Sequence, residues 1–392
     1  MPLKNNPFIN RPKHKHGAVP FDDIKLEHFI PALDYAIAEA EKNLEFIKNN
    51  PESPTFDNTA LPMESGTELM GAIAHTYFNL MSAESDNKFK ELAQDISPKL
   101  SAFENDIYLD SKLFERVKHV HDNMELDNLN AEQKRLVSES YKDFTLNGAL
   151  LNDADKEKVR KIDEELSKLS PKFSQNTLNA TNEYSYFTED ESELSGIPDL
   201  VKNQAAETAK KKDKESGWML TLQMPCYMPV MQFAENRKLR ETMAREFGKI
   251  SLGGKFDNQE IIKKTVSLRY KKARILGFDD HADYTLQKRM ATSTNNVMSF
   301  LNRLYDVYYP AAKRELGEIT TLAQKDGIDE MQSWDYSYYT EKLKKIKFDF
   351  DQEHLRPYFK VENVIDGIFQ VAELMYGLKF IEINDVPIYH KE

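Results

Sequence analysis

Apolar residues recur at alternating steps of three and four along much of this chain. Leu26, Ile30, Leu33, Ile37, Ala40, Leu44 and Ile47 fall on one such stripe. An α-helix turns every ~3.6 residues, so this spacing collects them on one face that must be buried. Pro51 and Pro54 end the pattern, because proline has no N–H with which to continue the ladder. Val159, Ile162, Leu166, Leu169 and Phe173 repeat the spacing in a segment otherwise filled with Lys, Glu, Asp and Ser, which predicts a second amphipathic helix with a kink at Pro171. Helical patterning also covers 64–83, 86–108, 111–125, 130–150, 199–213, 231–248, 257–276, 294–325 and 361–376. Thr292 or Ser293 suits the N-cap of the helix carrying Val297, Phe300, Leu301 and Leu304.

Strand signals are few. Trp218 to Met224 alternates briefly before Pro225, and Leu378 to Ile383 follows Gly377, a residue suited to a helix C′ position. A turn at Asn384-Asp385 followed by Val386-Pro-Ile-Tyr would close a short hairpin. The pattern therefore predicts a mostly α, multi-helix protein with a few short strands. It divides into an irregular N-terminal arm over 1–21, a helical region over 22–250, and a helical region over 251–392 ending in the hairpin. There is no solenoid repeat and no low-complexity tract.

With 392 residues, 40% of them hydrophobic and 30% charged, the chain is globular in composition and long enough to form more than one compact unit. A net charge of −12 repels phosphate backbones and anionic lipid, so neither nucleic acid nor a membrane surface is expected as a main partner. The basic run from Lys210 to Lys214 is interrupted by Asp213 and reads as a solvated face. Cys226 is the only cysteine, which excludes an intrachain disulfide and a cysteine-rich metal site. The N-terminus lacks the apolar stretch of a secretory signal, and no run of ~18 apolar residues follows. These features predict a soluble, cytoplasmic protein.

Candidate chemistry is sparse. His119 and His121 are two apart, so on a helix they diverge by ~200° and cannot share one ion. His14 and His16 lie in the irregular arm. Asp279, Asp280, His281 and Asp283 hold the ingredients of a metal or acid/base site, but the same residues make a helix–helix turn with an aspartate N-cap, and that reading is preferred. Glu353-His354 fails as a zinc motif because position 357 is proline. Gly253-Gly254-Lys255 falls short of a phosphate loop, since Lys249 and Phe256 stand where glycine and Ser or Thr are needed. Cys226 lies between Pro225 and Pro229 with no histidine nearby in sequence, which gives nucleophilic catalysis little support.

Several ordered blocks carry a family resemblance. They include Pro20-Phe-Asp-Asp-Ile, Leu166-Ser-Lys-Leu-Ser-Pro-Lys-Phe-Ser-Gln-Asn, Trp218-Met-Leu-Thr-Leu-Gln-Met-Pro and Arg269-Tyr-Lys-Lys-Ala-Arg-Ile-Leu-Gly-Phe. Lys288-Arg-Met-Ala-Thr-Ser, Trp334-Asp-Tyr-Ser-Tyr-Tyr, Leu355-Arg-Pro-Tyr-Phe and Leu374-Met-Tyr-Gly-Leu continue the series. Together they resemble the zinc metallopeptidases that include thimet oligopeptidase, oligopeptidase A and peptidyl-dipeptidase. The resemblance implies a neurolysin-like fold, in which 22–250 forms one helical wall of a channel and 251–392 leads toward a catalytic half. It also implies zinc held by a His-Glu-x-x-His helix and a later glutamate, with short peptides as substrates. His-Glu-x-x-His does not occur in these 392 residues. No catalytic, cofactor-binding or metal residue is therefore carried onto any position here, and His390 reads as an exposed lone histidine. The expectation is the N-terminal portion of an oligopeptide-cleaving zinc peptidase, binding no zinc by itself. The alternative is a noncatalytic helical peptide-binding module, or one half of a split peptidase working with a separately encoded C-terminal half.

Overall fold

The computed structural model describes residues 3–10, 14–83, 86–126, 128–349 and 355–390, without the side chain of Arg356. The chain folds as two compact units, each discontinuous in sequence: Met1–Gln175 with Glu260–Thr294 and Ile383–Glu392, and Asn176–Gln259 with Asn295–Glu382.

The first unit is helical. Its elements are α1 (Leu26–Lys48), α2 (Leu61–Ser65), α3 (Glu68–Ala83), α4 (Asn87–Tyr108), α5 (Ser111–Asn123), α6 (Ala131–Asn147) and the first part of α7 (Asp153–Glu183). The stripe predicted for α1 is buried at Leu33, Ala40, Leu44 and Ile47, but in its first turns the buried positions are Phe29, Ala32 and Ala36 instead of Ile30 and Ile37. Phe29 anchors this face, and Ile30 and Ile37 are partly buried against the same cluster. The Phe29 ring packs against Phe8, Tyr77 and Phe89 at centroid distances of 5.1, 5.3 and 5.6 Å, and burying such a side chain stabilises by about 1.5–3 kcal/mol. A second cluster joins Leu44 and Ile47 to Phe103, Leu113 and Phe144. The loop after α1 is fixed by Arg116, which donates to the Asn50 carbonyl at 2.9 Å and to Asn58 Oδ1 at 3.2 Å. α7 runs through Pro171 as one helix of 31 residues.

The second unit contains the sheet: β1 (Ser185–Thr188) pairs antiparallel with β2 (Trp218–Thr221), Tyr186 opposite Leu220. α8 (Asp199–Lys211) connects them and packs on β2. At the end of the pair Gly217 has φ +90°, and a Cβ there would lie 2.6 Å from the Thr188 carbonyl, so only glycine fits without strain. Leu194, Leu220, Val230, Leu239 and Met243 form the adjoining core.

Two expectations need correction here. The strand predicted to reach Met224 ends at Thr221, and α9 (Met224–Phe233) begins where the strand was to continue, with Pro225 at a first-turn position that needs no N–H. The helix predicted over 231–248 is instead the end of α9 and a separate α10 (Arg237–Phe247). Asn236 separates them because its side chain accepts the Lys238 and Leu239 N–H groups, at 3.0 and 3.2 Å, as an N-cap.

The remaining elements are α11 (Gln259–Ile275) and α12 (His281–Leu286) of the first unit, and α13 (Thr294–Lys325), α14 (Tyr336–Phe348) and α15 (Val361–Tyr376) of the second. The closing hairpin does not form: residues 378–390 contain no strand. Phe380 stacks on Phe369 of α15 at 4.3 Å, while Asp385 pairs with Lys15 at 2.5 Å and Tyr389 lies edge-on to Phe21. These side-chain contacts take the place of a two-stranded ladder, which is marginal alone in water.

Candidate functional site

The most completely built polar centre of the second unit is the corner around Asp335. Its carboxylate is fully buried, as is Arg240, whereas Arg237 is part exposed. Asp335 Oδ2 accepts from Arg237 Nη2 at 2.7 Å and from the Gln332 N–H at 3.0 Å, while Oδ1 accepts from Arg240 Nη2 at 2.8 Å and Arg237 Nε at 3.0 Å. Arg240 also donates to the Ala234 carbonyl at 2.7 Å and the Trp334 carbonyl at 3.2 Å, and lies 4.2 Å from the centre of the Tyr338 ring. Burial opposes the charge on Asp335, but hydrogen bonds from Arg237, the Gln332 N–H and Arg240 outweigh it and hold the carboxyl below its usual range. A carboxylate so fully occupied by donors has no lone pair to spare for a metal or a substrate proton. This corner fastens α10 to the start of α14.

A second polar lock joins the end of α7 to the loop before α11. Asn176 donates to Asn258 Oδ1 at 2.9 Å, and Asn258 donates to Thr177 Oγ1 at 3.1 Å while its N–H reaches the Ser251 carbonyl at 2.9 Å. Gly253 and Gly254 belong to this loop, with φ +81° and +71°. Asp257 accepts the Gln259 N–H at 2.9 Å, placing a negative charge at the α11 N-terminus, where a phosphate would have to sit.

Within the first unit, α7 and α11 leave a groove of about 320 Å³. Leu166, Leu169 and Phe173 of α7 form one wall, and Ile262 and Val266 of α11 form the other. Arg269 also lines it.

The residues weighed in the sequence are scattered. His119 and His121 lie on α5, where His121 stacks on Tyr141 at 4.1 Å. Asp280 accepts the Ala282 and Asp283 N–H groups, at 2.8 and 2.9 Å, as the N-cap of α12, and Asp279 pairs with Arg274 at 3.0 Å. Burial first, then the Arg269 and Lys272 charges, push His281 below the usual imidazole range. Cys226 Sγ accepts the Thr221 N–H at 3.3 Å, and burial pushes its thiol up, away from a thiolate nucleophile. His14 lies in the first unit, Glu353 and His354 fall outside the described residues, and His390 lies in the segment after α15. Among the described residues, no group of three or more His, Cys, Asp or Glu side chains could hold a metal ion. Among the described residues the donor set does not fit the zinc that the resemblance implies, so no chemical step is routed through a metal here. No helix of the described residues is long and apolar enough to cross a membrane.

Sequence reasoning missed the roles of Asp335, Asn258 and the α7–α11 groove. The signal for the first was present, since Trp334-Asp-Tyr-Ser-Tyr-Tyr is one of the blocks that carries the resemblance.

Comparison with known proteins bears on what these joints belong to. Residues 230–392 match the family model described as peptidase family M3, and residues 26–156 match the one described as the neurolysin/thimet oligopeptidase N-terminal domain. The chain is 30% identical over 379 residues to oligopeptidase A of Salmonella typhimurium and of Escherichia coli, covering 95% of this chain and 56% of each relative. It is also 30% identical over 390 residues to dipeptidyl carboxypeptidase of Escherichia coli, covering 99% of this chain and 57% of the relative. Saccharolysin of Saccharomyces cerevisiae is 29% identical over 345 residues, 85% of this chain and 47% of that protein. The chain spans about half the length of the relatives it matches.

Proposed function

Since the chain belongs to peptidase family M3, we propose that it is the N-terminal helical portion of a zinc-dependent oligopeptidase acting on short peptides. The observation that carries this reading is the 30% identity to oligopeptidase A over 95% of the chain. It is supported by where the resembling blocks fall in three dimensions. Trp334 to Tyr339 makes the Asp335 corner, and the Arg269 to Phe278 block closes α11, with the Phe278 N–H returning to the Ala273 carbonyl at 2.9 Å past Gly277 at φ +90°. These are joints that set helix directions within this chain.

In this reading the water-activating machinery lies outside the 392 residues, because the His-Glu-x-x-His helix that would hold zinc is not among them. What this chain supplies is helical framework and peptide-facing surface.

The test compares the 392-residue chain with the product of the same coding region extended downstream. Each is dialysed, analysed for metal and given an internally quenched fluorescent nonapeptide. The expected result is no turnover and no stoichiometric zinc for the shorter protein, and turnover with one zinc for the longer. Turnover by the 392-residue chain alone would overturn the proposal. A downstream region with no metal-binding histidine pair would instead favour the noncatalytic binding module.

A further inference from the structure

We propose that the α7–α11 groove of the first unit is a binding site for the C-terminal end of an apolar peptide, with Arg269 receiving its terminal carboxylate. The inference stands on the groove's own chemistry and is independent of any hydrolysis.

Leu166, Leu169 and Phe173 recur at steps of three and four, so they line one face of α7. Ile262 and Val266 are one turn apart on α11, and Arg269 follows within the next turn. Phe173, Ile262 and Val266 are 40, 49 and 57% exposed, while Leu166 and Leu169 are partly buried. Apolar side chains this exposed along two adjacent helices offer a ligand surface that water covers poorly.

The charges around the groove are allotted unevenly. Lys264 pairs with Glu165 at 2.8 Å and Lys272 with Asp163 at 2.6 Å. Those pairs consume carboxylates on the α7 side. Arg269 forms no ion pair or hydrogen bond among the described residues. A planar guanidinium with free donors among apolar lining side chains complements a carboxylate attached to an apolar body, and it can hold both oxygens at once.

Polar lining favours a peptide end over a fatty acid. From Ile262 to Arg269 the helix advances ~10 Å, the span of about three extended peptide residues. Ser170 and Thr265 also line the groove, one from each helix, and their hydroxyls offer partners for peptide N–H and C=O groups. A volume of about 320 Å³ suits two or three apolar side chains.

The probe is fluorescein-Gly-Ala-Leu-Phe-Leu with a free C-terminal carboxylate, titrated by fluorescence anisotropy against the 392-residue chain, alongside the same peptide as its C-terminal amide. The expected result is saturable binding of the acid, with the amide weaker by on the order of tenfold, the usual effect of losing a charge-assisted hydrogen bond. Arg269→Gln should erase the preference for the acid. Arg269→Lys should restore part of it, and Val266→Glu should remove binding of both peptides. Both positions are exposed, and circular dichroism confirms that the three variants remain folded. Equal affinity of acid and amide, or an acid preference that survives Arg269→Gln, would overturn the proposal. So would laurate binding without peptide binding, or a chain dimer that Val266→Glu dissociates in a sample that ignores the peptide. Because the readout is binding, failure here leaves the hydrolysis test untouched, and failure there leaves this one standing.

Discussion

The Asp335 corner and α15 belong to the same unit and present opposite solutions to the same problem. At the corner, a carboxylate and a guanidinium are fully buried, and the carboxylate is met by donors on both oxygens. On α15 no residue is buried: Val361, Ile368, Phe369, Leu374 and Met375 are between 40 and 86% exposed. Polar groups are hidden in one place while apolar groups face solvent in the other. Burial here follows partners, not side-chain type. Arg240 can be buried because Asp335 and two carbonyls receive it, whereas the apolar stripe of α15 remains open because no neighbouring element within its unit covers it.

The sharpest way to break that contrast is Asp335→Ala. It strands Arg240 in a site without a counter-charge, and urea unfolding should show a loss of about 3–5 kcal/mol. A loss below about 1 kcal/mol would mean that water replaces the carboxylate and that the corner is not closed. The native carboxylate has a pH signature of known sign. Its pKa is lowered on folding, so its contribution is fully present above the unfolded value of about 3.9 and is lost as pH falls through the lower folded value. The urea midpoint should fall across that acid window, and an acid limb unchanged by Asp335→Ala would assign the titration elsewhere.

Gly217→Ala tests the sheet beside this corner. The new Cβ must avoid the Thr188 carbonyl at 2.6 Å while the backbone holds φ +90°, and a destabilisation of about 1–3 kcal/mol is expected in the same assay. Arg237→Ala should cost less than Asp335→Ala, about 1 kcal/mol, because its guanidinium is 39% exposed and Arg240 still holds the carboxylate. At the other end of the scale, Leu374→Ala on α15 should change stability by less than about 0.5 kcal/mol, since an 86% exposed side chain loses little on truncation. A cost like that of a core leucine would show that α15 is covered in solution, and sedimentation would then reveal by what.

The sequence disclosed elements more readily than their surroundings. The bounds of α13 and α15 were legible to the residue, because long stretches of three-and-four spacing are a local signal and Gly377 marks the end of α15. The sheet was only half legible. β1, Ser-Tyr-Phe-Thr, shows no apolar alternation, and its partner lies thirty-odd positions further on. The split between α9 and α10 was missed because apolar spacing continues across it, although its signal is local: Asn236 is a favoured N-cap residue, and Arg240 reaches back six positions to the Ala234 carbonyl. As for the site, composition and motif spacing supported no catalytic residue. Arg269 was visible only as part of a resembling block, since the groove it borders needs α7 and α11 side by side.

The burial of Arg240 has a consequence for synthesis. Its partner Asp335 lies 95 positions later in the chain, and at a ribosomal pace of ~5–20 residues per second that separation corresponds to ~5–20 s. For that interval α10 emerges with a guanidinium that has no carboxylate to meet it, so the second unit cannot close its corner until α14 begins to appear. Ribosome pausing within the intervening α13 would lengthen that interval in direct proportion.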